Sequence, residues 1–136
     1  MKNIIICIVL SFAMLVSAAC AETIGKTNKE VRAIAEPILD NIFDGIKADS
    51  YAKWSKDFDP TMKDVLTKEK FAESNQQVKE RMGNCTSRKY LAFLNKGEVT
   101  MILWKAVFDK TKDDVLITLV LSSRDGKYQV AGLWFQ

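Results

Sequence analysis

Four apolar runs in the second half of the chain, parted by short polar breaks, constrain the fold more than any other feature. The runs span roughly 85–94, 99–108, 115–122 and 128–135 and are rich in Val, Ile, Leu, Phe, Tyr and Trp, the residues that fit a pleated surface. The breaks are Asn95-Lys96-Gly97, Asp109 to Asp114, and Arg124-Asp125-Gly126-Lys127. Asp125-Gly126 is a strong tight-hairpin signal. A parallel crossover needs about a dozen residues or more, and none of these breaks supplies that. The runs must therefore pair as sequential hairpins, an antiparallel meander.

The preceding half has the helical period instead. Thr27-Asn28-Lys29-Glu30 reads as a capping box. Behind it Val31, Ile34, Ala35, Ile38, Leu39, Ile42, Phe43 and Ile46 form the stripe of an amphipathic helix. Pro37 removes one hydrogen bond and predicts a kink rather than a break. Asp49 and Ser50 can cap a short helix carrying Tyr51, Trp54 and Phe58. Asp59-Pro60 can open a further turn to Leu66. Thr67 is the next N-cap, for a more polar helix over 68–82 with Phe71, Val78 and Met82 on one face. Gly83 suits the left-handed residue that ends it. The expected fold class is α+β, with N-terminal helices packed on a four-stranded antiparallel sheet. Ile38, Ile42, Trp104, Ile117, Leu119 and Trp134 are its expected core.

The strand Val115-Leu116-Ile117-Thr118-Leu119-Val120-Leu121 is apolar at nearly every position. A sheet wet on one face alternates. Both faces should therefore be covered, one by the helices and the other most simply by a second copy of the chain. The competing arrangement is a sheet curled so tightly that its own ends cover that face.

The first residues read as an export signal. Lys2 precedes an apolar run over 4–16, and small residues follow at Ser17, Ala18, Ala19 and Ala21. That run is too short to span a bilayer, which takes roughly 20 apolar residues. The expected organisation is a signal peptide at 1–21 and one domain at 22–136. Two processing routes fit. Cleavage at Ala19-Cys20-Ala21 releases a soluble periplasmic or secreted protein. Lipidation at Cys20 anchors it to a membrane. The first is favoured, because Ser17 stands where a lipobox usually has Leu. Either route places the protein in the periplasm or cell envelope.

Of the 20 basic residues one, Lys2, lies in the leader, so 19 face 17 acidic ones. That balance, with the charges interspersed, gives no footprint for nucleic acid or for an anionic membrane surface. Apart from Cys7 and Cys20 the chain has only Cys85, which cannot form an internal disulfide and reads as a small buried apolar side chain. There is no histidine. That removes the commonest general base, the usual serine-hydrolase triad and most zinc sites. No metal site, cofactor or catalytic residue is expected. Asp57, Asp59, Asp113 and Asp114 read as turn and cap residues. Lys105 interrupts a strand on the face of Leu103 and Val107, opposite the face of Ile102, Trp104, Ala106 and Phe108. It reads as a snorkelling cation, or as a rim residue that holds an acidic partner. Trp54, Phe58, Tyr90, Trp104 and Trp134 are core candidates by default, and the candidate lining if a cavity lies between helices and sheet.

Helices followed by an antiparallel sheet in about 110 residues resemble the cone-shaped cystatin-like, nuclear-transport-factor-2-like superfamily. More narrowly, the chain resembles a bacterial family, domain of unknown function 3887. The resemblance rests on residues 49–58 (DSYAKWSKDF), 62–66 (MKDVL), Gly83 with Ser87-Arg88, 103–108 (LWKAVF), 114–117 (DVLI) and the terminal Gly132-Leu133-Trp134-Phe135. It implies a small exported or lipid-anchored protein, dimerising through its sheet, and carries no catalytic motif. Cys85 stands where that family would have an aromatic. The resulting expectation is a non-catalytic envelope module that binds a small apolar ligand or a protein partner through the cone or the sheet. The alternatives are a cone-pocket enzyme using Asp, Lys or Tyr, and a purely structural assembly protein.

Overall fold

A computed structural model describes residues 20–136. The leader expected at 1–21 lies almost wholly outside the described residues, as does Cys7. Helix α1 (Asn28–Lys47) begins at a complete capping box. The Glu30 amide donates to Thr27 Oγ1 at 3.2 Å, and the Thr27 amide donates to Glu30 Oε2 at 3.1 Å. The amides of Lys26 and Thr27 both donate to Glu30, and these bonds hold its carboxyl below the usual range. The helix runs unbroken through Pro37. Its buried stripe is Val31, Ala35, Ile38, Leu39 and Ile42, closed by Gly45.

Three further helices follow, each opened by the side chain of an N-cap residue. They are α2 (Tyr51–Trp54) after Ser50, α3 (Pro60–Val65) after Asp59, and α4 (Lys68–Arg81) after Thr67. Asp59 Oδ1 accepts from the Met62 amide at 2.7 Å, so this carboxylate is a cap. Asp57 Oδ2 accepts from Asn41 Nδ2 at 3.2 Å. Gly83 follows α4 at φ +78°, the left-handed conformation expected there.

The strands are β1 (Cys85–Lys96), β2 (Val99–Phe108), β3 (Val115–Arg124) and β4 (Lys127–Phe135), in the order β1-β2-β3-β4 and antiparallel throughout. Asp125 and Gly126 both take positive φ, 54° and 70°, which is the two-residue turn whose twist suits a hairpin. A segment before α1 joins the far end of the sheet. Glu22 exchanges both backbone hydrogen bonds with Ser123, and the Ile24 amide donates to Thr100 Oγ1 at 3.1 Å. The residues between α2 and α3 cover part of the free edge of β4, where Val130 bonds to Asp57 and Asp59.

The core is one cluster under α1. Ile102, Trp104, Ala106 and Phe108 of β2 face it, with Val115, Ile117, Leu119 and Leu121 of β3 and Val130 of β4. Lys105 lies on the opposite face, as its strand position requires. Trp134 does not join the core: it is 50% exposed. The pairing of β3 with β4 slips between Val120/Gly132 and Leu121/Val130, leaving Ala131 as an extra residue. A bulge of this kind reverses which face later residues occupy. Leu133 and Phe135 thus turn inward opposite Leu119 and Ile117, and Trp134 turns outward opposite Thr118.

Candidate functional site

The aromatics singled out from sequence fall into three places. Trp54 and Phe58 meet edge to face with ring centroids 4.6 Å apart, and Phe71 of α4 completes the group 4.7 Å from Trp54. Tyr90 and Trp104 form a second pair, 6.1 Å apart, between β1–β2 and α1. There the Trp104 indole donates to Glu36 Oε1 at 3.2 Å, and the Tyr90 hydroxyl to Asn28 Oδ1 at 2.7 Å. Burial raises the Tyr90 hydroxyl pKa, Glu36 adds to the rise, and the Arg32 guanidinium over the ring opposes it. Trp134 stands alone on the outer face of the sheet. The five do not line one cavity.

Hollow space lies instead between the last turns of α1, helix α4 and the ends of β2 and β4. One cavity of about 380 Å³ has Phe43, Ile46, Phe108, Cys85 and Arg88 in its wall. A second, of about 170 Å³, is lined by Ile46, Trp54, Phe71, Val78, Leu133 and Phe135, with Asn75. Ile46 lies in the wall of both, so the two hollows adjoin, and together they are called the trough. Phe43, Phe108 and Phe135 meet at its base, with centroid separations of 5.9–6.4 Å. A third hollow, of about 440 Å³, lies beyond Phe71 and is rimmed by Asp49, Lys68, Lys79 and Glu80.

Arg88 closes one side of the trough. Its guanidinium sits 5.6 Å over Phe43 and pairs with Glu36 at 3.4 Å and with Asp40. Burial alone would lower its pKa, but Asp40 and Glu36 outweigh that and hold it above its ordinary value. Its charge is thus already neutralised by α1, and it is poorly placed to capture an anion. Burial pushes the Cys85 thiol up, against the pull of Arg88. That thiol is only partly buried. A thiol kept protonated is a poor nucleophile.

The buried polar side chains among the described residues are Ser55, Asn75, Thr100, Thr118 and Ser122, none of them ionisable. Among the described residues no group of three or more His, Cys, Asp or Glu is placed to hold a metal ion, and no helix is long and apolar enough to cross a membrane. Lys105 pairs with Asp114 of its own chain at 2.9 Å, so the acidic partner is intramolecular. Cys20 is exposed, two residues before the bridge that pins Glu22 to Ser123.

Sequence reading missed two residues that shape this region. A Cβ on Gly45 would run into the backbone and side chain of Trp54, so this glycine lets α2 lie directly on α1. Asn75, on the buried face of α4, ties that helix to the end of α1 through its amide nitrogen, which donates to Ile46 O at 3.0 Å and to Asp49 Oδ1. An asparagine at that position breaks the apolar stripe and was the one available signal.

The family model described as Protein of unknown function (DUF3887) matches residues 40–133, well over half of the chain. The chain belongs to this family. Its matched region begins within α1 and takes in the trough's lining residues from Phe43 to Leu133, all but Phe135. No curated protein and no solved structure matches the chain.

Proposed function

We propose that this member of the DUF3887 family is an exported, non-catalytic cell-envelope module that binds a small apolar ligand in the trough between α1, α4 and the sheet. The observation that carries this reading is the trough itself. Its smaller part is aromatic and aliphatic apart from Ser74 and Asn75, its larger part adds Asp44, Lys47 and Arg88 to Phe43 and Phe108, and the polar side chain buried in it, Asn75, is uncharged. Ligand sites are typically concave and mostly apolar, with a few polar groups. A pocket for acid–base chemistry would instead hold a desolvated ionisable group. The order of elements, helices and then four antiparallel strands, supports placing the family in the cystatin-like, nuclear-transport-factor-2-like superfamily. Lys2, the apolar run that follows it and the small residues up to Ala21 support export.

A second mode of binding, to another copy of the chain, is favoured by the outer sheet face. Leu91, Leu94, Val107, Leu116 and Trp134 are all exposed there.

Native mass spectrometry of the protein purified from the cell envelope tests these readings together. The expected spectrum shows a chain processed before Glu22, a retained small molecule and a dimer. A start at Glu22 excludes a lipid on Cys20. A protein that carries no small molecule and takes up no apolar probe overturns the ligand reading.

A further inference from the structure

The larger hollow of the trough, of about 380 Å³, has two unlike sides. Phe43, Ile46 and Phe108 give it an apolar wall, and Asp44, Lys47 and Arg88 bring charge to the rest. Arg88 is already held by Glu36 and Asp40. Asp44 and Lys47 are both exposed, and neither enters an ion pair among the described residues. They stand three positions apart in the last turn of α1. Opposite charges at that spacing are neighbours on a helix and can pair; here they stay apart. Lys47 suits that end of the helix, where the dipole is negative, and Asp44 opposes it. A carboxylate set against the dipole, with no cation paired to it, is completed by a cation from outside.

We infer that this hollow takes a small zwitterion with an apolar body: its cationic group meets Asp44, its anionic group meets Lys47, and its body lies on Phe43 and Phe108. The inference rests on the apolar-ligand reading of the trough and adds the dipolar head that the ligand carries. A ligand with a single charge would attract one of the two side chains and repel the other. A wholly apolar ligand would strip water from both and offer nothing in return. The volume lies within the range of about 300–1,000 Å³ common to small-molecule sites. An apolar amino acid and a short-chain phosphocholine share this chemistry.

L-Phenylalanine, hexylphosphocholine, 3-phenylpropionate, 2-phenylethylamine and toluene test this. The exported chain is titrated with each, and the ring signals of Phe43 and Phe108 are followed by NMR. At least one of the two zwitterions should move both rings, and which of them does so assigns the head to an amino acid or to a lipid. Phenylpropionate lacks the ammonium of phenylalanine, and phenylethylamine lacks its carboxylate. Each should bind about threefold or more weakly than phenylalanine where phenylalanine is the zwitterion taken. Asp44→Asn and Lys47→Met should each weaken the bound zwitterion about threefold. The first should strengthen phenylpropionate and the second phenylethylamine, a crossed pattern that a loss of structure would not give. A zwitterion that binds both variants as tightly as the unaltered chain overturns the inference. So does toluene moving the rings when neither zwitterion does, and in both cases the apolar-ligand reading stands. If no probe binds and the envelope-purified protein carries no molecule, both readings fall together.

Discussion

Trp134 is the residue whose position departs furthest from its composition. A tryptophan one place from the end of a strand reads as core, yet the ring lies on the outer face with its edge over Gly132. Gly132 makes that possible, since a Cβ there would sit 2.5–2.6 Å from the edge of the indole. The ring occupies the space that a side chain would take, beside Val120, which is buried on the same outer face. Gly132→Ala sets two effects against each other. Alanine in a strand gains roughly 0.5–1 kcal/mol over glycine, while the displaced indole loses its contacts. We expect net stability to change by less than about 1 kcal/mol and the tryptophan emission to shift to the red. Trp54 and Trp104 are buried and should contribute nothing to that shift. Unchanged emission would show that the ring is not held by the glycine.

At the scale of elements, the joint between α1 and α4 is built from charge and hydrogen bonding on a left-handed turn. Asp49 sits at φ +52° just past the end of α1. It accepts from Lys79 Nζ at 2.7 Å and from Asn75. The bond from Lys79 is the largest influence on the Asp49 carboxyl and lowers its pKa, with Asn75 helping and burial opposing. The unfolded chain therefore binds the proton more readily than the folded one, and stability falls as pH falls. The contribution is complete above the ordinary aspartate value of about 3.9 and disappears as pH drops through the lower folded value. Lys79→Met should flatten the acid limb of a denaturation curve below about pH 4 by removing the contribution present at neutral pH, a small one because the pair is exposed. An acid limb identical to that of the unaltered chain would remove the pair from the joint. The elements themselves were legible because their signals are local: a capping box, a helical stripe, a hairpin dipeptide and a left-handed glycine. What escaped depends on distant partners. The extra residue Ala131 is defined only against β3, Gly45 only against Trp54, and Asn75 only against the end of α1. Trp54 and Phe58 meet as near neighbours in sequence. Tyr90, Trp104 and Trp134 were not separable from them without the pairing of the strands.

For the whole molecule, the question left by the missing alternation in β3 is what covers the second face of the sheet. The answer differs along the strand. Thr118, Val120 and Ser122 are buried, with Trp134 folded beside Val120, so part of the face is closed from within. Leu91, Leu94, Val107, Leu116 and Trp134 remain between 37% and 50% exposed. No helix lies over them, because the helices pack on the side of Trp104 and Ile117. A curled sheet therefore accounts for the middle of the face and not for its flanks. We propose that these apolar flanks serve as an interaction surface. Two-fold contact with a second copy would bury the same patch twice. Trp134, a large rigid ring in its midst, has the character of an interface anchor. Lys105 already meets Asp114, so it can lie at the rim without an unpaired charge being buried. Sedimentation equilibrium of the exported chain at micromolar concentration should return twice the monomer mass. Trp134→Asp should return the monomer mass with the far-ultraviolet spectrum unchanged, since that side chain leaves the core intact. A freely soluble monomer from the unaltered chain would sink the interface and leave the exposed flanks of the sheet for a different partner.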